Sequence, residues 1–281
     1  MESIKILIPT DFSVQAEFAY LLVKNMGSKI NTEIHFLHIL NVPDTVTLDS
    51  NGRIQTCGEI DINYVKSQKD IIDRKLNDLK LLYGSEINTH LLFGKTTTSI
   101  VDFAEQQKFD LIVMGTKGAW GIQEKISGTE TQMIARKSNV PLLSLMCDRS
   151  DLDIKNILMV HNFNETSSEN LTLLKKFITA FDAKVHLLQI VSNHTELQKA
   201  DLNEKMNKYA ADKGITNFEN HLLNDTDVEN GVIHFNQMQE IDLVCMGTHA
   251  KAGIFHTSAT EKLINHLFKP LLSYHLKNNN R

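Results

Sequence analysis

The strongest constraint on the fold is an internal repeat, because similar segments recur in the same order in the two halves of the chain. The matched segments are residues 4–13 and 154–164, residues 109–116 and 241–248, and residues 141–144 and 270–273. The separation of matched residues falls from 151 (Asp11 to Asn162) to 132 (Gly115 to Gly247) and 129 (Pro141 to Pro270). The second half has therefore lost residues, mainly around segment 42–63, which is expected to be a loop. This pattern predicts a tandem duplication of two domains, 1–148 and 153–281.

Within each half, apolar runs of strand length alternate with helical patterns. In the first half the predicted strands are 4–9, 33–40, 87–93, 111–114 and 141–146, and the predicted helices are 14–29, 63–82, 97–107 and 129–138. Threonines in front of the third helix are expected to cap it. Strands that alternate with such helices pair in parallel, and nearly continuous Ile, Leu and Val runs are typical of strands covered on both faces. The sequence therefore predicts an α/β fold with a parallel sheet in each half.

Composition and charge narrow the class of protein. The 281 residues are 42% hydrophobic and 22% charged, as in globular proteins, and the net charge of −5 argues against a mainly nucleic-acid-binding role. No apolar run approaches the roughly 18 residues of a membrane span, and the N-terminus lacks the pattern of a signal peptide. Three widely spaced cysteines (Cys57, Cys147 and Cys245) suggest reduced thiols. We therefore expect a cytoplasmic protein without nucleic-acid or membrane partners.

Two features belong to the edge of an open parallel sheet where ligands bind, beyond the carboxyl ends of the strands. Asp11 directly follows the first strand, and the segment from Gly115 to Thr129 has the pattern G-x2-G-x9-G-T, with an additional Gly121. Glycines let backbone N–H groups approach an anion, and the Gly128-Thr129 pair opens a helix whose dipole favours phosphate. Because phosphate would repel a carboxylate, Asp11 is expected to face the ribose hydroxyls and the adenine amino group of a nucleotide.

The sequence resembles the universal stress proteins in their tandem-domain form, over nearly the whole chain. The resemblance rests on Pro9-Thr10-Asp11-Phe12-Ser13, on the run from Leu111 to Thr116, and on the glycine pattern that ends at Thr129, the signature of the ATP-binding branch. It implies two Rossmann-like domains of the adenine nucleotide alpha hydrolase type, each with a parallel sheet of order 3-2-1-4-5, paired through their last strands. It also implies ATP, or alternatively ADP or AMP, as the ligand, and it is compatible with a homodimer. A bound nucleotide could carry Mg²⁺ or Mn²⁺ as a companion ion.

The resemblance also assigns roles to residues of the first half. Asp11 and the backbone at Ile39 would hold the adenosine end of the nucleotide. Gly115 and Gly118 would line the ribose and phosphates, and the Gly128-Thr129 pair would bind the phosphates. The predicted nucleotide site comprises Pro9, Thr10, Asp11, Ile39, Met114, Gly115, Thr116, Lys117, Gly118, Gly121, Gly128, Thr129, Glu130 and Thr131. No catalytic residue and no metal ligand is predicted.

The second half departs from this pattern. Asn162 replaces Asp11, Ala250 replaces the second glycine, Thr257 replaces the third, and three residues are missing from the segment. Because this segment is shorter and stiffer, we expect that the second half does not bind ATP in the same way. The nucleotide occupancy of the two halves would then be unequal.

Three alternatives to a nucleotide-binding regulator stay open. Ser127 and Glu130 fit a capping box, which satisfies a helix start without phosphate and would leave a protein-interaction scaffold. A slow ATPase or nucleotidyl transferase of the same fold is the enzyme alternative, with Lys117 as the first-half cation placed to assist. The third alternative is a different ligand of the second half, around His249 and His256.

Four further residues receive structural interpretations. His38 is expected to be packed in the core, and Cys245, within an apolar run, to be an inert core thiol. Asp110 and Asp242 precede strands at matched positions of the repeat and are expected to cap or end elements.

Overall fold

The computed structural model describes residues 3–49, 52–57, 60–116, 130–163, 171–191, 196–249 and 259–276. The strands are β1 (Ile4–Pro9), β2 (Thr32–Leu40), β3 (Val46–Leu48), β4 (Ile54–Thr56), β5 (Asn88–Phe93), β6 (Leu111–Gly115), β7 (Leu142–Leu145), β8 (Asn156–Val160), β9 (Lys184–Val191), β10 (Phe218–Asn224), β11 (Leu243–His249) and β12 (Leu271–Leu276). The helices are α1 (Val14–Met26), α2 (Ile62–Tyr83), α3 (Thr96–Gln106), α4 (Glu130–Lys137), α5 (Thr172–Phe181), α6 (Glu196–Lys213), α7 (Val228–Met238) and α8 (Ala259–His266). None of these helices is both long enough and apolar enough to cross a membrane.

One ten-stranded sheet runs through both halves, in the order β10-β9-β8-β11-β12-β7-β6-β1-β2-β5. Counted along the chain of each half, this is the order 3-2-1-4-5 twice. All neighbouring strands are parallel except β7 and β12, which pair antiparallel and join the two halves. The predicted α/β fold is confirmed, as is the pairing through the last strands.

The core consists of two layers, one on each face of the sheet. Alternation along β1 shows the division, since Ile6 and Ile8 belong to one layer and Leu7 to the other. Each layer contains residues of both halves; Leu143 and Leu272, for example, share the first layer. Because both faces are covered, central strands such as β6 and β8 are nearly continuously apolar rather than alternating in polarity.

The joint between the halves has approximate two-fold symmetry, which hydrogen bonds at matched positions make visible. Thr116 Oγ1 donates to the carbonyl of Ile264 at 3.4 Å, and the matched Thr248 Oγ1 donates to the carbonyl of Ala135 at 3.2 Å. Ser144 and Ser273 likewise donate to carbonyls across the β7–β12 pair. The duplication therefore extends to the contacts that hold the halves together.

Two local predictions are wrong. Segment 42–63 is not simply a loop, because β3 and β4 form an antiparallel hairpin there that packs Val46 against Val42 and Val65. Helix α3 begins at Thr96 after Lys95, whose side chain makes no capping hydrogen bond, so the predicted threonine cap is absent.

Asp110 and Asp242 hold the starts of neighbouring strands, as predicted. Asp110 Oδ2 accepts from the N–H of Lys5 at 2.8 Å. Asp242 Oδ2 accepts from the N–H groups of Lys155 and Asn156, at 2.9 and 2.8 Å. The same device therefore satisfies backbone donors at the start of the central strand in each half.

Candidate functional site

The carboxyl ends of β1, β2 and β6 meet at one edge of the first half, beside the starts of α1 and α4. We call this region the first-half carboxyl edge; it comprises residues 9–13, Ile39, residues 114–116 and residues 130–131. Pro9 is the last residue of β1, and the N–H of Thr10 extends the strand pairing by donating to the carbonyl of Leu37 at 2.8 Å. In a parallel sheet of this order, ligands bind at such an edge.

Hydrogen bonds fix the turn that leads from β1 into α1. Thr10 Oγ1 accepts from the N–H of Phe12, and Asp11 Oδ1 accepts from the N–H of Ser13, both at 3.0 Å. Ser13 then caps α1 by accepting from the N–H of Ala16 at 3.4 Å. Phe12 has a left-handed backbone with φ 63°, which a residue other than glycine adopts only where its surroundings hold it. This turn presents Asp11 as an exposed side chain at the edge.

His38 of β2 contacts this turn and holds it through a hydrogen bond and a ring stack. Its Nδ1–H donates to the carbonyl of Thr10 at 2.7 Å, and its ring stacks on Phe12 with the centroids 4.9 Å apart. Burial lowers the pKa of His38, so the ring is neutral at pH 7 and its Nε2 is a hydrogen-bond acceptor. His38 packs as predicted, but it is half-buried and borders the candidate site instead of lying in the core interior.

The backbone of Ile39 is directed toward the first-half carboxyl edge. The carbonyl of Leu37 bonds toward β1 at Thr10, whereas the carbonyl of Leu40 bonds toward β5 at Gly94. Because successive residues of a strand alternate in this direction, the N–H and C=O of Ile39 point to the β1 side, beyond the turn at Thr10. This is the orientation that the role predicted for Ile39 requires.

Gly115 ends β6 directly against the first turn of α1. A Cβ atom at this position would overlap the backbone carbonyl of Gln15, so any side chain would push β6 and α1 apart. The matched residue in the second half is Gly247. This glycine therefore has a packing role that is independent of a bound phosphate.

The remaining described residues of the predicted site differ in exposure. Thr116 and Thr131 are each 5% exposed, and the Thr116 side chain takes part in the contact between the halves. Met114 is also buried, at 9% exposed. Glu130 is exposed at the first residue of α4. The side chain of Thr116 thus contacts the second half, which leaves its backbone as the part that borders the edge.

The matching edge of the second half keeps the turn but not its side chains. Phe163 is also left-handed, with φ 52°, and its N–H donates to His161 Nδ1 at 2.7 Å, where the first half uses a threonine hydroxyl. Phe163 is 2% exposed and packs edge-on against Tyr209, and the His161 ring lies 5.1 Å from Tyr209. Aromatic rings therefore pack beside this turn, and Asn162 stands where the first half has a carboxylate.

Several residues named in the predictions lie outside the described part of the chain. They are Lys117, Gly118, Gly121, Ser127, Gly128, Thr129, Ala250, His256, Thr257 and the side chain of His249. The expectations attached to them, including the phosphate cradle and the capping box, stay predictions.

A cleft of about 430 Å³ opens at the amino ends of β6 and β7, away from the first-half carboxyl edge. Its lining includes Glu105, Lys108, Asn139 and Lys176. Glu105 Oε1 already accepts from the backbone and side-chain N–H groups of Asn139, at 2.9 and 3.0 Å. No sequence motif marks this cleft, and both of its acidic residues are engaged, Glu105 with the turn before β7 and Asp110 with the N–H of Lys5.

Comparisons with known proteins agree with this architecture. The sequence model of a protein family, described as "Universal stress protein family", matches residues 4–145 of this chain. The universal stress protein MJ0531 of Methanocaldococcus jannaschii is 29% identical over 139 residues, which cover 50% of this chain and 79% of that protein. The universal stress protein MJ0577 of the same organism is 28% identical over 153 residues and is covered to 92%.

A solved structure extends the likeness to the whole chain. The crystal structure of a universal stress protein from Archaeoglobus fulgidus has a TM-score of 0.75 at 17% identity, and the superposition covers 98% of this chain and 97% of that chain. At this identity the likeness shows a shared fold, which includes the half beyond the region that the family model matches. Since that model covers just over half of the residues, and the sheet repeats the same strand order, the chain belongs to the universal stress protein family in a tandem form.

Proposed function

We propose that the first half, residues 1–148, binds ATP or a related adenine nucleotide at its carboxyl edge. The observation that carries this proposal is the exposed Asp11 carboxylate, held by a hydrogen-bonded turn beside the backbone of Ile39 and the start of α4. A carboxylate and a strand carbonyl accept hydrogen bonds from ribose hydroxyls and the adenine amino group. Backbone N–H groups in the first turn of a helix, such as α4, suit phosphates.

The proposed occupancy is one nucleotide per chain. In the second half, residues 153–281, an amide replaces the carboxylate, and the ring of His161 stands in place of the smaller Thr10. The first change removes the carboxylate on which the first-half proposal rests, and the second places a larger ring at the turn. They support an asymmetric pair in which the second half is a structural partner.

The proposed role is that of a nucleotide-dependent regulator or protective binding protein in a stress response. Segment 117–129 joins two elements that both contact the second half. Thr116 precedes the segment and bonds to Ile264, and Gln132 follows it and donates to the carbonyl of Glu261 at 2.7 Å. A nucleotide that contacts this segment would therefore change how the two halves contact each other. A partner protein could recognise that change.

Thermal melting of nucleotide-free protein with and without Mg-ATP, Mg-ADP and AMP tests the proposal. A ligand at 100 times its dissociation constant stabilises the folded state by about 2.7 kcal/mol. We expect the corresponding rise in melting temperature in the wild type and in Asn162→Ala. We expect no rise in Asp11→Ala and in Gly128→Glu. Asn162→Ala is the matched control because Asn162 occupies the position of Asp11 in the repeat.

Equilibrium binding should give one nucleotide per chain. Two nucleotides per chain would contradict the asymmetry, and no shift in the wild type would favour the scaffold alternative. Phosphate release measured on the same samples tests the enzyme alternative. Turnover that is present in the wild type and lost in Lys117→Ala would support a slow ATPase.

A further inference from the structure

Each half contains a pair of histidines on its two outermost strands. His35 of β2 and His90 of β5 have Nδ1 and Nε2 at 2.8 Å from each other, and His186 of β9 and His221 of β10 have the same two atoms at 3.0 Å. The members match across the repeat, with separations of 151 and 131 residues. The pair was therefore duplicated with the fold, and its members lie within these strands rather than at the carboxyl edge of their own half.

In the second half, one neighbour fixes the orientation of the buried ring. Asn156 Oδ1 accepts from Nε2–H of His186 at 3.2 Å, and His186 is only 6% exposed. With its proton on Nε2, His186 directs the lone pair of Nδ1 at Nε2 of His221. An outer oxygen that fixes the tautomer of a histidine in this way is the usual companion of a metal-binding imidazole.

Among the residues that the structure describes, a carboxylate completes such a group in the second half only. Ligand atoms of His186, His221 and Glu219 all lie within 4.8 Å of one another. Glu219 also pairs with Lys184, with Oε2 and Nζ 2.6 Å apart, but both side chains are about half-exposed, so exchanging this pair for another partner costs little. In the first half the matched residue is Asn88, and Glu33 lies instead behind the pair, 2.6 Å from Nε2 of His35.

We propose that the second half binds one divalent transition-metal ion of the zinc type through Nδ1 of His186, Nε2 of His221 and the carboxylate of Glu219. Two imidazole nitrogens, each about 2.0–2.1 Å from a tetrahedral ion, stand roughly 3.3 Å apart, close to the separation already present. The ion takes the place of the hydrogen between the rings, after a small rotation of both. His221 then carries its proton on Nδ1, moved there by exchange with water, so no net proton is released.

The chemistry of the three ligands selects the class of ion. Two neutral imidazoles and one carboxylate suit Zn²⁺, Co²⁺ or Ni²⁺ better than Mg²⁺, which prefers oxygen ligands. The exposed Glu219 gives the ion a path from solvent to the buried His186. This site is independent of the proposed nucleotide, since it lies in the other half.

The test is a titration of the full chain with Zn²⁺, by calorimetry, after removal of metal with EDTA and without nucleotide. Visible absorption of bound Co²⁺ reports the ligand set independently. We expect one ion per chain in the wild type, and binding at least 10-fold weaker in Glu219→Gln and His221→Gln, since even a residue behind the ligands contributes that much. Glu219 is an exposed side chain, so its replacement leaves the fold intact.

His90→Gln is the matched control, because it removes the same member of the pair in the half that lacks the carboxylate. We expect its Zn²⁺ affinity to equal that of the wild type. Absence of stoichiometric binding in the wild type, or unchanged affinity in both Glu219→Gln and His221→Gln, would overturn the proposal and leave the two pairs as structural hydrogen bonds. A loss of Zn²⁺ affinity in His90→Gln as large as that in His221→Gln would also overturn the proposal.

Discussion

At Gly115, the absence of a side chain determines how closely a strand and a helix approach. The carbonyl of Gln15 occupies the space that a Cβ would need. Because a backbone carbonyl in the first turn of a helix cannot rotate away, the strand or the helix must move. The sequence pattern marked this glycine as part of a phosphate cradle, and its packing role became visible only when α1 was placed beside it.

We expect Gly115→Ala to destabilise the protein by about 3 kcal/mol, at the upper end of overpacking effects, and this can be measured by denaturant unfolding. Gly27→Ala is the control, since Gly27 has an ordinary φ of −58° and its added Cβ would meet its nearest neighbour at 3.1 Å. Its effect should stay below about 1 kcal/mol. Equal effects of the two substitutions would refute the packing role of Gly115.

His90 makes stability depend on pH. Burial, with a contribution from the neighbouring His35, lowers its pKa from 6.5 to about 4. Between these values the unfolded chain binds a proton that the folded chain does not, so stability falls as the pH drops through this window and is level above it. Because solvent screens this half-buried ring, we expect the free energy of unfolding to be only about 1 kcal/mol lower at pH 5 than at pH 7 on its account.

His90→Gln should therefore lose less stability than the wild type between pH 7 and pH 5. For a chain of this size the difference corresponds to about 2–4 °C in Tm. Melting at pH 7 and pH 8 provides the internal control, because neither form should change there. A pH response that is identical in both proteins would exclude His90 as its source.

At the scale of elements, the two halves build the same turn from different side chains, and they hold the starts of their central strands with the same one, an aspartate. A threonine hydroxyl and a histidine nitrogen each accept from the N–H of a left-handed phenylalanine. Asp110 and Asp242 each satisfy backbone donors at the start of a central strand. The geometry of the turn is thus preserved although its chemistry has changed, whereas the strand start preserves both.

Asp242→Ala should destabilise the protein by about 1–2 kcal/mol, because two backbone N–H groups lose their acceptor. Asp110→Ala removes the acceptor of one described N–H group and should have a smaller effect. Asp242→Asn keeps one acceptor oxygen and should fall between the wild type and alanine. Chemical denaturation of the three variants checks this order, and an effect of Asp110→Ala exceeding that of Asp242→Ala would contradict it.

The sequence was sufficient to predict the elements that depend on local patterns. Apolar runs and the repeat predicted the parallel strands, and Asp110 and Asp242 were recognised because they recur. The hairpin β3–β4 was missed because it is stabilised by three valines in a small separate cluster rather than by a regular pattern. The histidine pairs were missed because their members lie 55 and 35 residues apart, although their recurrence in the repeat was a usable signal.

At the scale of the whole molecule, an ion pair between the halves departs from the approximate symmetry of the joint. Arg136 of α4 bonds to the carboxylate of Glu261 of α8, which is 1% exposed. The residues that match them are Asn265 and Gln132, both neutral. Here the sequence offered no signal, because contacts between residues more than 120 positions apart form only when the halves dock.

Arg136→Asn should destabilise the protein by about 3 kcal/mol, since it leaves the Glu261 carboxylate buried without its guanidinium partner. The second change Glu261→Gln should recover most of this loss, because it gives the joint the neutral residues found at the matched positions. Thermal melting of the single and double variants measures the coupling. A double variant as unstable as the sum of the single changes would show that the pair is not coupled.

The antiparallel pairing of β7 with β12 has a consequence for how the molecule meets others. Because the joint lies within one chain, dilution cannot separate the halves, and every molecule carries one carboxyl edge with Asp11 and one with Asn162. Because β7 and β12 run in opposite directions, these two edges lie at opposite ends of the strands of the sheet. A partner that docks on the edge with Asn162 therefore approaches from the end of the strands opposite Asp11. It does not compete for space with a ligand at Asp11.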